Sequence, residues 1–185
     1  YMMMEQPRTI LFLRKTLTSA HLSIIPEFLE KLDLLGVRDQ FDVTKTEIVN
    51  KINGSVIYFR GIQTSSNDNT ANLKSINGVS IAIIDEAEEL TDEKTFDRLD
   101  LSIRKKGVVN KVIVALNPCS KVHFLYKRFY ESMGVQDGFN GIKDNVNYIH
   151  TTYLDNIENL DESFVHQAEL LKEKNPIKYK HVLLG

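Results

Sequence analysis

Three short apolar runs divide the chain and predict the buried strands of a parallel sheet. They occupy residues 9–13 (TILFL), 79–84 (VSIAII) and 112–116 (VIVAL), and polar residues follow each of them. Strands that are buried on both faces read as continuous apolar runs, because helices cover the two sides of a parallel sheet. We therefore expect each run to lie inside a sheet.

Amphipathic helices are predicted between and after these runs. Apolar residues recur at helical spacing, and in the second helix Phe96, Leu99 and Ile103 are expected to face inward. The predicted helices span residues 22–35, 91–101, 122–132 and 162–174. Buried strands that alternate with amphipathic helices predict a single domain over residues 1–185, of the three-layer α/β class with a mainly parallel sheet and helices on both faces.

The remaining segments are polar or only weakly periodic. Residues 41–59 predict an antiparallel hairpin or sheet extension, and residues 63–72 (QTSSNDNTAN) predict a solvated loop. Residues 134–147 are rich in Gly and Asp and predict a flexible connection before a last strand over 148–153.

Composition places few limits on function. The chain has 185 residues, 42% of them hydrophobic, a net charge of -2 and one cysteine. No apolar run approaches the roughly 20 residues that cross a bilayer, and a lone cysteine forms no internal disulfide. The net charge does not exclude nucleic-acid binding by a local basic patch. Runs of charged residues, however, usually form a surface that only contacts solvent. The candidate cations are Arg104, Lys105, Lys106, Lys111, Lys121, Lys127 and Arg128.

The second run delivers two adjacent carboxylates to the end of a predicted strand. Asp85 and Glu86 follow IAII, which has the form of a Walker B segment. In NTPases with this segment the Asp holds Mg²⁺ through water, because hard cations prefer anionic oxygen, and the Glu polarises the attacking water. The alternative is that the acids only cap the next helix.

Polar groups also follow two other predicted strands. The carboxyl ends of parallel strands lie at the same edge of a sheet, so these groups are expected near the acidic pair. Asn117 ends the third run, where an amide can sense the γ-phosphate or the attacking water. Arg14 ends the first run, where it can meet a phosphate or a nucleic-acid backbone, or act as an arginine finger in cis. The structural alternatives are an Asn-Pro turn and a solvated charge pair.

The ordered set of segments TILFLRKT, NGSVIYFRG, LKSINGVSIAIIDEAEELT, VIVALNP and IHTTYLDN resembles the large terminase subunits of tailed phages and prophages, especially the group named after the PBSX prophage. The resemblance covers nearly the whole chain. It implies a P-loop NTPase-like fold of the ASCE type, ATP and Mg²⁺ as cofactors, and packaging of double-stranded DNA. It also implies assembly with a portal protein and a small terminase subunit, a homo-oligomer on the portal, no membrane association, and a location in the bacterial host cytoplasm, transiently at the procapsid portal.

Two departures from the family pattern change what the chain is expected to do. No Gly-Lys-Ser/Thr phosphate loop (Walker A) occurs in the sequence, and neither does the strand that leads into it. Without that loop we expect ATP affinity and catalysis to collapse, and without that strand we expect an apolar strand edge to be exposed. The family's C-terminal nuclease acids are absent as well, so we expect a fragment of a longer protein or a degenerate remnant.

Two alternative functions stay open at this point. Asp85 begins the sequence Asp-Glu-Ala-Glu, which a superfamily 2 helicase would share, although such helicases place Ser-Ala-Thr where this chain has Ala-Leu-Asn-Pro. A non-catalytic binding or assembly module that retains the fold is the other alternative.

Overall fold

The computed structural model describes residues 2–62 and 76–185, and of residues 19–21 it describes the backbone alone. The predicted loop over 63–72 lies outside the described residues. The chain divides into two compact units, Tyr1–Leu116 and Asn117–Gly185, which are described separately below. That residues 1–185 form a single functional domain stays a prediction.

Over its described residues, the first unit is built on a six-stranded sheet with the strand order β2-β3-β4-β1-β5-β6. The strands are β1 (Thr9–Arg14), β2 (Phe41–Val43), β3 (Glu47–Asn50), β4 (Val56–Gly61), β5 (Val79–Ile84) and β6 (Lys111–Val114). Strands β4, β1, β5 and β6 run parallel, whereas β2 and β3 add an antiparallel extension beside β4. The mainly parallel α/β sheet and the antiparallel extension over 41–59 are thereby confirmed.

One helix precedes the first strand, and others connect the strands. They are α1 (Met2–Glu5), α2 (Leu17–Leu22), α3 (Ile24–Leu34) and α4 (Glu93–Asp100), with 3-10 turns at Arg38–Gln40 and Ala87–Glu89. The helix predicted over 22–35 is confirmed as α3, except that Leu22 ends the preceding helix. The helix predicted over 91–101 is confirmed as α4, and its inward residues Phe96 and Leu99 are buried.

Both faces of the central strand β1 are buried. Ile10 belongs to a hydrophobic cluster that includes Ile25 and Leu32 of α3. Successive side chains of a strand point to opposite faces, and Leu11 and Leu13 are buried as completely as Ile10. Burial on both faces is the reason why β1 reads as an uninterrupted apolar run.

The third predicted strand is not fully buried, so this prediction was wrong in part. In the part of the chain that the structure describes, β6 pairs only with β5 and forms the edge of the sheet. Its residues Val112–Val114 are half-buried, and Leu116, predicted as part of this strand, lies beyond it and is exposed. An edge strand has a neighbour on one side alone, which leaves part of its apolar surface open to solvent.

The second unit combines helices with a small antiparallel hairpin. Its elements are α5 (Phe124–Tyr126), continued by a π-helical turn (Lys127–Glu131), then β7 (Gly141–Lys143), β8 (Val146–Tyr148), a 3-10 segment (Tyr153–Asn159), α6 (Glu162–Lys174), α7 (Pro176–Tyr179) and a final π-helical turn (Lys180–Leu184). The helices predicted over 122–132 and 162–174 are confirmed.

The prediction of a strand over residues 148–153 was wrong. The chain reverses at Asp144, whose φ of +52° lies in the left-handed region, so that β7 pairs with β8 within the segment 134–148. The predicted connection over 134–147 therefore includes β7 and the first residues of β8. After β8, a capping box between Thr152 and Asp155 starts the 3-10 segment instead of a strand.

No helix within the described ranges has the length and apolar character needed to cross a bilayer.

Candidate functional site

Three residues that the sequence singled out meet at the carboxyl edge of the parallel sheet. Arg14 is the last residue of β1, and Asp85 and Glu86 directly follow β5. The backbone amide of Asp85 donates to the carbonyl of Leu13 at 2.9 Å, which continues the pairing of the two strands to their ends. The parallel register therefore places the guanidinium beside the two carboxylates.

Arg14 bridges both acids. Its Nε lies 2.8 Å from Oδ2 of Asp85, and its Nη2 lies 2.6 Å from Oε1 of Glu86. The remaining terminal nitrogen, Nη1, donates to Oγ of Ser23 at 2.8 Å. The exposed fractions of the Arg14, Asp85 and Glu86 side chains are 13%, 23% and 39%. Because the rigid guanidinium fork is shielded and makes short charge-assisted bonds, it fixes the orientation of both carboxylates.

Glu86 adopts an unusual backbone conformation for a residue other than glycine. Its φ of 52° and ψ of 45° lie in the left-handed region, which costs about 1–2 kcal/mol for a residue with a Cβ atom. The amide of the next residue, Ala87, donates to the carbonyl of Ala115 at 2.9 Å and holds this turn against the chain that follows β6. Strained residues of this kind cluster at functional sites, where the surrounding structure enforces them.

The acids do not cap the following helix. The N-cap of α4 is Asp92, whose side chain accepts from the backbone amides of Lys94 and Thr95. The 3-10 turn directly after Glu86 has no side-chain cap. Helix capping therefore does not explain the acidic pair, which weakens the structural alternative raised from the sequence.

The backbone that carries Arg14 is held by β4. The amide of Ile62 donates to the carbonyl of Arg14 at 2.8 Å. A Cβ atom at Gly61 would lie 2.8 Å from the backbone nitrogen of Leu17 and 3.3 Å from the carbonyl carbon of Thr16, so a larger residue there would displace the loop. Sequence reasoning missed Gly61 and Ser23, because the only local signals are a glycine at a strand end and a serine before a helix.

The neighbouring cation Lys15 is less constrained. Its Nζ lies 3.5 Å from Oε1 of Glu89, and the two side chains are 42% and 38% exposed. An ion pair this exposed contributes little to stability. Lys15 therefore supports the site weakly, in contrast to Arg14.

Asn117 is the third predicted strand-end residue. It follows the last residue of β6 by three positions and is the first residue of the second unit. Its predicted position beside the acidic pair stays a prediction.

The donor atoms of the acidic pair suit a magnesium ion. Hard divalent cations prefer carboxylate and water oxygens, and Mg²⁺ is commonly held by one or two carboxylates with water completing the shell. Within residues 2–62 and 76–185 no group of three or more His, Cys, Asp or Glu side chains could enclose a metal, so any Mg²⁺ here would rely on Asp85 and Glu86 together with water and a ligand. Both carboxylates are bonded to Arg14, which such an ion would have to displace in part.

Comparison with known proteins gives one consistent picture. A family model described as phage terminase large subunit matches residues 2–185. The large terminase subunit of Bacillus phage SPP1 is 29% identical over 194 residues, covering 100% of this chain and 43% of that protein. The PBSX phage terminase large subunit of Bacillus subtilis (strain 168) is 26% identical over 189 residues, covering 96% of this chain and 42% of that protein. The chain thus spans less than half the length of these two relatives.

A solved structure shows the same fold. The large terminase of a thermophilic bacteriophage, solved in complex with ADP, superposes with a TM-score of 0.69 at 16% identity, covering 100% of this chain and 42% of that one. At this identity the likeness establishes the fold of the chain.

Proposed function

Because this chain belongs to the phage terminase large subunit family, we propose that it is the ATPase portion of a motor that drives double-stranded DNA into viral procapsids. The observation that supports this most directly is the Asp85–Glu86 pair at the carboxyl end of β5, bridged by Arg14 at 2.8 and 2.6 Å. In open α/β sheets, ligands bind outside the carboxyl ends of the strands, which is the edge where this pair lies.

The two carboxylates have different roles in the proposed reaction. Glu86 orients the attacking water and accepts its proton, and its position on a strained turn at the sheet edge supports this assignment. Asp85 would hold Mg²⁺ through water, and the ion would supply positive charge that offsets the negative charge of the nucleotide phosphates.

Arg14 is proposed to position the two acids. Its ion pairs orient the two carboxylates and offset the repulsion between their negative charges. To act as an arginine finger in cis, its guanidinium would exchange at least one of these bonds for a bond to phosphate. We therefore assign Arg14 to the catalytic edge as a group that positions Glu86 and can turn toward the nucleotide.

Asn117 is proposed as the residue that links hydrolysis to DNA movement. Its amide would bond to the γ-phosphate or to the attacking water, and loss of that partner on hydrolysis would release the segment that follows β6. Its place in the sequence directly after VIVAL supports this role.

The proposed cofactors and partners follow from the family. The large terminase of the thermophilic bacteriophage was solved with ADP and, in another structure, with ATP-γ-S, and we propose ATP with Mg²⁺ for this chain. The proposed macromolecular partners are double-stranded DNA, the portal protein, the small terminase subunit and further copies of the motor on the portal. The proposed location is the bacterial host cytoplasm and, during packaging, the procapsid portal.

The sequence contains no Gly-Lys-Ser/Thr phosphate loop, so the groups that would cradle the phosphates must come from elsewhere for hydrolysis to occur. This observation favours one second candidate, a non-catalytic binding or assembly module that retains the fold. The helicase alternative loses support, because the family model covers residues 2–185.

The decisive experiment is Mg²⁺-dependent ATP hydrolysis with and without double-stranded DNA. It compares this chain with a version extended upstream of Tyr1 through the reading frame, each also as Glu86→Gln. Glu89→Gln is the matched control, since Glu89 lies three residues away, is exposed, and pairs with Lys15 instead of Arg14.

We expect hydrolysis by the extended protein and its Glu89→Gln variant, and about a 100-fold or greater loss in Glu86→Gln with ATP binding retained. Normal turnover by Glu86→Gln would contradict the assignment of Glu86 as the residue that activates the attacking water. If neither the short nor the extended protein hydrolyses ATP, the non-catalytic module replaces the motor.

A further inference from the structure

We propose that the segment 104–111, here called the basic loop, binds the phosphate backbone of double-stranded DNA at the sheet edge opposite the acidic pair. The proposed packaging function supplies the identity of the polyanion, and on that point this inference rests on it. The charge of the basic loop, its internal hydrogen bonds and its position in the sheet are observations that do not depend on the proposed function.

The basic loop concentrates positive charge in a chain that is acidic overall. Its sequence is RKKGVVNK, with four cations and no acid in eight residues, whereas the net charge of the chain is -2. Across the described ranges, none of these four side chains takes part in an ion pair. Their charges are therefore available to phosphate oxygens, the group that dominates affinity for DNA.

The basic loop is ordered by its own hydrogen bonds. Nδ2 of Asn110 donates to the carbonyl of Lys105 at 3.0 Å, and the amide of Lys105 donates to Oδ1 of Asn110 at 3.0 Å. Gly107, at the turn between them, has a φ of +82°, which glycine adopts without strain. A loop that is already closed loses less entropy when it binds than a mobile one does.

A fifth cation, Arg8, contacts the basic loop. Nη1 of Arg8 donates to the carbonyl of Val109 at 3.4 Å, and Nε of Arg8 is buried without a hydrogen-bond partner in the described structure. Arg8 immediately precedes β1, and the basic loop ends at Lys111, the first residue of β6. Since β1, β5 and β6 are parallel, both features lie at the amino edge of the sheet.

This edge is the opposite one from the site at Arg14, Asp85 and Glu86. DNA bound at the amino edge would therefore not compete with a nucleotide bound at the carboxyl edge. A motor needs both ligands at once, and the two ends of the same strands can connect them.

The helix before the loop does not account for its charge. Cations near a helix carboxyl terminus are stabilised by the helix dipole, but this effect is confined to the last turn. Helix α4 ends at Asp100, and the first cation of the loop is Arg104. The cations thus lie beyond the range in which the dipole would explain them.

The test is binding of this chain to a short fluorescent DNA duplex, measured by anisotropy over a series of salt concentrations without nucleotide. The loop variant carries Arg104→Ala, Lys105→Ala and Lys106→Ala. The matched control carries Lys174→Ala, Lys178→Ala and Lys180→Ala, which removes the same charge from three exposed positions of the second unit.

Each neutralised phosphate contributes roughly 0.9 to the slope of log affinity against log salt, so we expect the loop variant to flatten this slope by about 2 to 3 and to bind at least about tenfold more weakly. The control variant should differ little from the wild-type chain. Asn110→Ala, which keeps every cation but opens the loop, should bind several-fold more weakly.

Equal affinity and slope in the loop and control variants would overturn the proposal, and so would a wild-type chain that does not bind the duplex. The proposal would also be overturned if the loop variant lost binding to poly-glutamate but bound DNA as the wild-type chain does. That result would favour an acidic protein as the partner of the basic loop. If the triple variant unfolds, Lys105→Gln with Lys106→Gln replaces it, checked by its thermal unfolding midpoint.

The outcome separates this inference from the motor function. If the chain binds DNA through the basic loop but its extended form hydrolyses no ATP, this inference is supported and the proposed motor function is not. If the extended protein hydrolyses ATP but the loop substitutions do not change its affinity for DNA, the motor function is supported and this inference is not.

Discussion

Nη2 of Arg14 lies 2.6 Å from Oε1 of Glu86, although the two residues are 72 positions apart in the sequence. The bond joins the ends of two neighbouring parallel strands, and the same guanidinium also contacts Asp85 at 2.8 Å. One side chain therefore contacts and orients both acids at the candidate site.

We expect Arg14→Ala to lower the free energy of unfolding by about 1–3 kcal/mol, because it leaves two adjacent, partly buried carboxylates without their cation. Lys15→Ala is the matched control and should cost less than about 1 kcal/mol, since its pair with Glu89 is exposed. Urea unfolding of the two variants measures both values. Equal effects would mean that the bridge adds nothing beyond surface charge.

Asp85→Ala in the extended protein should weaken binding of Mg²⁺-ATP by about tenfold or more, because it removes the carboxylate proposed to hold the ion. Binding of ADP in the absence of Mg²⁺ should change much less. Calorimetric titrations with and without Mg²⁺ compare the two affinities. An equal loss under both conditions would show that Asp85 supports the fold of the site and not the ion.

Asn117→Ala in the extended protein should leave nucleotide affinity largely intact and remove the stimulation of hydrolysis by DNA. The amide is proposed to report the state of the γ-phosphate and not to hold the nucleotide. Steady-state hydrolysis with and without duplex DNA provides the measurement. Unchanged DNA-stimulated turnover would count against the sensor role.

Gly61→Ala should lower the free energy of unfolding by about 1–3 kcal/mol, since the new Cβ would lie 2.8 Å from the backbone nitrogen of Leu17 and one of the two segments must move. Gly54→Ala is the comparison, because among the described residues no atom lies within 4 Å of its Cβ position, although its φ of +74° opposes the change. The Gly61 variant should also lose part of the Arg14 bridge. A Gly61→Ala protein with wild-type stability would show that the loop adjusts freely.

The second unit should lose stability at alkaline pH through Tyr153. Its hydroxyl is hydrogen-bonded to that of Tyr179 at 2.8 Å, and this bond raises the pKa of Tyr153 from its ordinary value of 10.0 to about 12. The folded state thus holds the proton more tightly than the unfolded state. The stabilisation is complete below pH 10 and is lost as the pH rises toward 12.

Tyr153→Phe removes this titration, so its free energy of unfolding should fall less steeply over that range than that of the wild-type chain. Urea unfolding at a series of alkaline pH values tests the difference. Parallel pH profiles for the two proteins would contradict the assignment to Tyr153.

The sequence by itself determined the family, the class of the sheet and the place of the acidic pair. The family model confirms the resemblance, and β1 and β5 confirm two of the three apolar runs as buried strands. The helix over 162–174 begins and ends where its pattern indicated. The buried strands, the helix and the acidic pair are local features, because continuous burial, helical periodicity and a carboxylate after a strand each leave a signal within a few neighbouring residues.

Only the tertiary structure decided which distant residues meet and which apolar surfaces remain open. The bridge from Arg14 to both acids depends on the pairing of β1 with β5, and the close approach of Gly61 to Leu17 depends on the pairing of β1 with β4. The half-buried edge at β6 has an apolar sequence that is indistinguishable from that of a central strand. Strand order and register are set by contacts between segments far apart in the chain, and the periodicity of any one segment carries no record of its neighbours.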